Sequence, residues 1–208
     1  MLADVAGKIV QIRASGLGDL IRIIILQQYE KLDDFKKRYT KYGAEKLSIE
    51  RIEEEWPSWN SRWIVAQAFT AMALEAFFYD YILEKESKTQ ADKKSNPPKR
   101  FEYINNTYFK STDSKFIECH NELIALNKTR NHWIHNKSAE LEKYKKIQYH
   151  FSPDECICLL ISVFDIFSKH DKDYVVAPVT LDILLSVQQR VKNEVEGLPP
   201  YNKPLKRD

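Results

Sequence analysis

Between Ser58 and about Glu86 the chain carries apolar residues on two interleaved helical stripes, a pattern that suits only a helix enclosed on most sides. One stripe is Trp59, Trp63, Ala66, Ala73, Phe77 and Tyr81; the second is Val65, Phe69, Met72, Phe78, Tyr79 and Ile82. A helix of this kind needs other helices around it. The sequence therefore predicts an all-α fold, an antiparallel helical bundle with this segment at its centre and Ser58 or Ser61 as its cap.

The remaining segments supply the neighbours. Leu17-Gly18-Asp19 reads as a turn into a helix capped by Asp19 and running to about Gly43, with Leu20, Ile23, Ile24, Leu32, Phe35, Tyr39 and Tyr42 at helical spacing. A short strand over Ile9 to Ile12 is expected before it, and a charged helix over Glu45 to Glu55 after it, ended by Trp56-Pro57. Lys85 to Arg100 is lysine-rich and closed by Pro97-Pro98, which predicts a mobile surface loop. Phe101 to Phe109 is ambiguous between a short helix and irregular structure.

Thr112, Asp113 or Ser114 caps a helix whose stripe is Phe116, Cys119, Leu123, Leu126, Arg130 and Ile134. After a charged stretch, Ile147, Tyr149 and Phe151 alternate with polar residues and suggest a brief strand. Ser152-Pro153-Asp154-Glu155 is a helix start in which serine caps, proline takes the first helical position and the glutamate returns a bond. That helix buries Ile157, Leu160, Ile161, Phe164 and Phe167. The last one begins near Pro178, shows Leu181, Leu184, Val187, Val191 and Val195, and stops at Gly197.

A chain of 208 residues supports one substantial core, so a single domain is expected: residues 1–57 as a helical extension packed on the bundle, 58–197 as the bundle, and 198–208 as a flexible tail. Thirty-two basic against thirty acidic side chains leave a net charge of +2, so any affinity for nucleic acid must come from a local patch. Cys119, Cys156 and Cys158 are an odd set without disulfide spacing, which fits a reducing cytoplasm. The first residues lack the apolar run of a signal peptide, and no apolar run is long enough to span a bilayer.

Arg130-Asn131-His132-Trp133-Ile134-His135 is the segment richest in chemistry. Arg130 lies seven residues after Leu123 and fourteen after Phe116, which roots a charge on the buried stripe. Such a charge needs a carboxylate, a ligand phosphate or another subunit, because an unpaired one costs several kcal/mol. Glu75, set among Ala71, Met72, Phe78, Tyr79 and Ile82, is the internal carboxylate best placed to meet it; a gap to solvent is the other reading of Glu75. On a straight helix Arg130 and His135 stand about 140° apart, so they meet one substrate only if the helix ends near His135 or two copies of the motif face each other. A histidine titrating near ~6.5 can move a proton at neutral pH, and an arginine can clamp a phosphate and stabilise a five-coordinate phosphorus. That chemistry requires no metal and no cofactor, and uses the 2′-hydroxyl of RNA as nucleophile.

The pattern of arginine, polar residue, three intervening residues and histidine resembles the motif of HEPN domains, helical bundles found in toxins, antiphage systems and related RNA-processing proteins. The resemblance covers roughly Ser58 to Gly197 and implies an endoribonuclease acting on RNA as a homodimer, with Arg130 and His135 catalytic, Asn131 and His132 supporting them, and an antitoxin or regulatory protein as a further partner. Lys137, Lys143, Lys145 and Lys146, just past the motif, are candidate phosphate contacts, with the lysines of the 85–100 segment beside them. The alternatives from other classes are a non-catalytic HEPN-like module that binds RNA or protein, and a plain bundle in which Arg130 pairs with a carboxylate and His135 is solvated.

Three further signals are set aside. His132 and His135 have metal-ligand spacing with Cys119 and His120 upstream, yet no Glu-x-x-His occurs and no metal is expected. Cys156-x-Cys158 reads as two small core residues, and Gly16-x-Gly18 as a turn without the lysine of a phosphate loop.

Overall fold

The structure, a computed structural model, describes residues 2–5, 8–11, 15–42, 58–134 and 151–198. It opens with a two-stranded antiparallel hairpin, β1 (Leu2–Val5) and β2 (Lys8–Gln11), in the register Leu2 to Gln11 and Val5 to Lys8. Helices follow: α1 (Ser15–Tyr42), α2 (Ser58–Lys85), α3 (Lys88–Lys93), α4 (Pro97–Ile104), α5 (Ser114–Ile134), α6 (Pro153–His170) and α7 (Val176–Glu196). The fold is a helical bundle, as the apolar patterning predicts. The expected helix over 45–55, the strand near Ile147 and the tail lie outside the described residues.

Helix α2 is the centre, packed against α1, α3, α4, α5 and α6. Its Ala66, Ala73, Leu74, Phe77, Phe78, Tyr81 and Ile82 are all sealed from solvent. Helix α1 lies antiparallel to it, with Arg62 on Glu30 and Asp34 at one end and Leu20 beside Met72 and Ala76 at the other. Helix α6 instead runs in the same direction as α2, since Gln67 reaches Phe151, Phe77 meets Phe164 and Tyr81 bonds Asp171. The rings of Phe77, Phe164 and Phe167 pack edge-to-face at 4.6 and 4.7 Å, a geometry that adds to their area burial. Leu17, Ile21 and Ile24 of α1 belong to the same core, so the N-terminal helix is integral to it.

At the start of α6 the Ser152 hydroxyl accepts from the Glu155 amide, and the Glu155 carboxylate accepts from the Ser152 amide at 2.7 Å, the reciprocal cap its sequence predicts. Three expectations are overturned. Lys85 to Arg100 is not a loop: Ser87 caps α3, whose Ala91 is buried, and Asn96 caps α4 by accepting from the Lys99 amide at 3.1 Å. Pro97 and Pro98 open α4 because the first helical positions need no amide donor. Gly16 and Gly18 lie inside α1 and form no turn; burial of Leu17 and Ile21 offsets the roughly 1 kcal/mol each glycine costs a helix. Met72 and Cys158 are exposed where a core position was expected.

The ambiguous 101–109 segment divides between α4, which buries Phe101 and Ile104, and one wide π-turn over Asn105–Phe109. Asn105 closes that turn by bonding both the amide and the carbonyl of Ser111, at 2.9 and 3.0 Å. The turn sets Tyr108 and Phe109 against the ring of Tyr81.

Candidate functional site

Helices α1, α2, α4 and α5 meet around a cleft of ≈ 420 Å³. Leu20, Met72 and Ala76 form its apolar wall; Glu75, Tyr79, Asp80, Arg100 and Arg130 bring the polar groups. Arg130 arrives there because the buried stripe of α5, Phe116, Cys119, Leu123 and Leu126, docks that helix on the core and carries its last turns to the edge. The result is a side chain that is only 26% exposed yet borders solvent.

The carboxylate of Glu75 stands between two guanidiniums. Its Oε2 is 3.6 Å from Nη2 of Arg130, and its Oε1 is 3.6 Å from Nη1 of Arg100. These contacts neutralise charge but are too long to be hydrogen bonds, and at this partial exposure each contributes at most about 1 kcal/mol. Arg100 is fixed more firmly: Nη1 donates to the Glu75 carbonyl at 3.2 Å, and the guanidinium lies over the Tyr79 ring at 5.2 Å. Tyr79 in turn donates its hydroxyl to Asp92 at 3.0 Å, a bond that raises its pKa above the usual phenol value. The Nε–H groups of Arg100 and Arg130 are both buried and meet no hydrogen-bond acceptor among the described residues.

Of the residues the sequence singles out, Arg130 and Glu75 are therefore in contact, and Asn131 is exposed on the same turn of α5. Helix α5 is described through Ile134; the side chain of His132, and all of His135, Lys137, Lys143, Lys145 and Lys146, lie outside the described residues. Arg100 is the residue that sequence reasoning missed. Its signal was present in Asn96-Pro97-Pro98, a cap followed by prolines at the first helical positions, which places Arg100 and Phe101 on the inward face of a helix rather than in a loop.

Elsewhere the reactive groups are muted. Burial raises the thiols of Cys119 and Cys156 to about 12, so both stay protonated at neutral pH. Among the described residues no three His, Cys, Asp or Glu side chains come together to hold a metal ion, and no helix is long and apolar enough to cross a membrane. Compared with models of protein families, with curated proteins and with solved structures, the chain matches none.

Proposed function

We propose that this chain is a metal-independent endoribonuclease in which Arg130 and His135 act on RNA. The observation that carries the reading is the state of Arg130: its partly exposed guanidinium borders a solvent-reached cleft and meets Glu75 only at 3.6 Å, instead of being sealed in the core by a tight carboxylate pair. In the reaction the 2′-hydroxyl oxygen bonds to phosphorus and the bond from phosphorus to the 5′-oxygen breaks. His135 takes the 2′ proton, the second copy's protonated His135 or water gives one to the leaving 5′-oxygen, and Arg130 carries the charge of the five-coordinate phosphorus. Asn131 and His132 support these groups, and Glu75 holds Arg130. The lysines at 137, 143, 145 and 146 contact neighbouring phosphates.

Because Arg130 and His135 diverge on a straight helix, the reading includes a homodimer whose two motifs share one cleft. A toxin or antiphage role in the cytoplasm, with an antitoxin or regulatory partner, belongs to the same reading and rests on the resemblance to HEPN domains alone. The charge that Glu75 shares with both arginines favours a second reading, a non-catalytic module that binds RNA or protein through the same surface. Purified protein incubated with RNA in EDTA separates them. Cleavage should persist without metal and fall about 10²- to 10⁴-fold in His135→Ala and Arg130→Ala. Cleavage that needs metal, or that survives both substitutions, contradicts the proposal.

A further inference from the structure

Arg100 is the more deeply buried of the two arginines at the cleft, with a side chain only 8% exposed, and nothing in the chemistry above uses it. The two guanidiniums converge on one carboxylate, and the Nε–H of each is buried and meets no acceptor among the described residues. Glu75 holds neither guanidinium tightly, since its oxygens sit 3.6 Å from each. With Glu75 and Asp80 both at the cleft its formal charge is balanced, so what the site offers a ligand is donors rather than net charge.

Beside these groups Leu20, Met72 and Ala76 form an apolar wall, and Met72 is 42% exposed. A bare anion would make no use of that wall. A ligand with an oxyanion and a flat apolar body would fill both halves, and a nucleotide is such a ligand.

Resting on the RNA reading, we infer that the cleft is a nucleotide subsite: a phosphate oxygen of the RNA takes the Nη groups that Arg100 and Arg130 turn towards Glu75, displacing its loose contacts, while the adjoining base lies on Leu20 and Met72. Arg100 is then a phosphate-binding residue rather than only a brace for Glu75. Lysine would not replace it fully, because an ammonium lacks the planar fork that holds two oxygens.

The test uses the full chain and a fluorescent oligonucleotide of 2′-O-methyl RNA, which cannot be cleaved by 2′-hydroxyl attack, so binding is read apart from catalysis. Anisotropy titrations across a salt series should show Arg100→Gln binding about tenfold more weakly, with a salt slope shallower by about one, and Arg100→Lys falling between. Met72→Ser, which removes the apolar contact at a 42% exposed position without adding charge, should also weaken binding and decides the matter if Arg100→Gln does not fold. Wild-type affinity and slope in both variants, or no binding by the wild type, overturns the inference. Binding that depends on Arg100 in a protein that leaves unmodified RNA uncut keeps the subsite and removes the nuclease reading. Cleavage with unchanged KM in both variants does the reverse.

Discussion

Helix α2 has two faces that solve opposite problems. On one, Phe77, Phe78 and Tyr81 meet Phe101, Phe164, Phe167 and Tyr174 ring against ring with no water between them. On the other, Met72, Glu75 and Tyr79 face a cleft where charge is held by loose pairs and two buried Nε–H donors meet no acceptor among the described residues. The first face stabilises the fold, and the second contributes little to it. A bundle can afford the second only because the first anchors the same helix, so the two should respond differently to perturbation.

Phe77→Ala is expected to have the largest effect, about 3 to 5 kcal/mol lost in urea denaturation, since the ring is almost wholly buried among aromatic neighbours that cannot close the gap. A cost under about 1 kcal/mol would mean that the aromatic face is not what holds α2.

The dry side also predicts a pH dependence. Cys119 and Cys156 ionise near 9.0 when unfolded and only at about 12 when folded, because burial disfavours the thiolate. The folded pKa is raised, so stability is intact below about pH 9 and is lost as pH climbs towards 12. Thiol labelling at pH 8 should modify exposed Cys158 first and reach the other two only on unfolding. Rapid labelling of all three in the native state would break the contrast.

On the cleft side, Glu75→Ala should cost only about 1 to 2 kcal/mol in the same denaturation experiment, because its two ion pairs are long and partly solvated. A loss as large as that of Phe77→Ala would make the cleft part of the core rather than a site. The smallest effect has the opposite sign. Gly16→Ala and Gly18→Ala fill open space within α1 and should each stabilise by about 0.5 to 1 kcal/mol in thermal denaturation.

The two faces were also unequally legible in the sequence. The aromatic face was readable because burial leaves a periodic trace, and Ser152 to Glu155 announced α6 through residue types that only a helix start requires. Glu75 stood out as a carboxylate among apolar neighbours, and it does meet Arg130. Arg100 was hidden because lysines and two prolines outweighed the single cap at Asn96, and composition describes solvation better than it describes where a helix begins. Gly16 and Gly18 misled for a related reason: local propensity predicts a turn, while the apolar spacing of Leu17, Ile21 and Ile24 carries the helix through. Met72 gave no sign of its exposure, since a cleft is a property of four helices and not of one.

The most direct measurement is the chemical identity of the ends made when EDTA-treated protein meets RNA, read by mass spectrometry. Attack by the 2′-hydroxyl, with Arg130 and His135 as the working groups, predicts a 2′,3′-cyclic phosphate on one fragment and a free 5′-hydroxyl on the other. Fragments bearing 5′-phosphates, or intact RNA after long incubation, would contradict it.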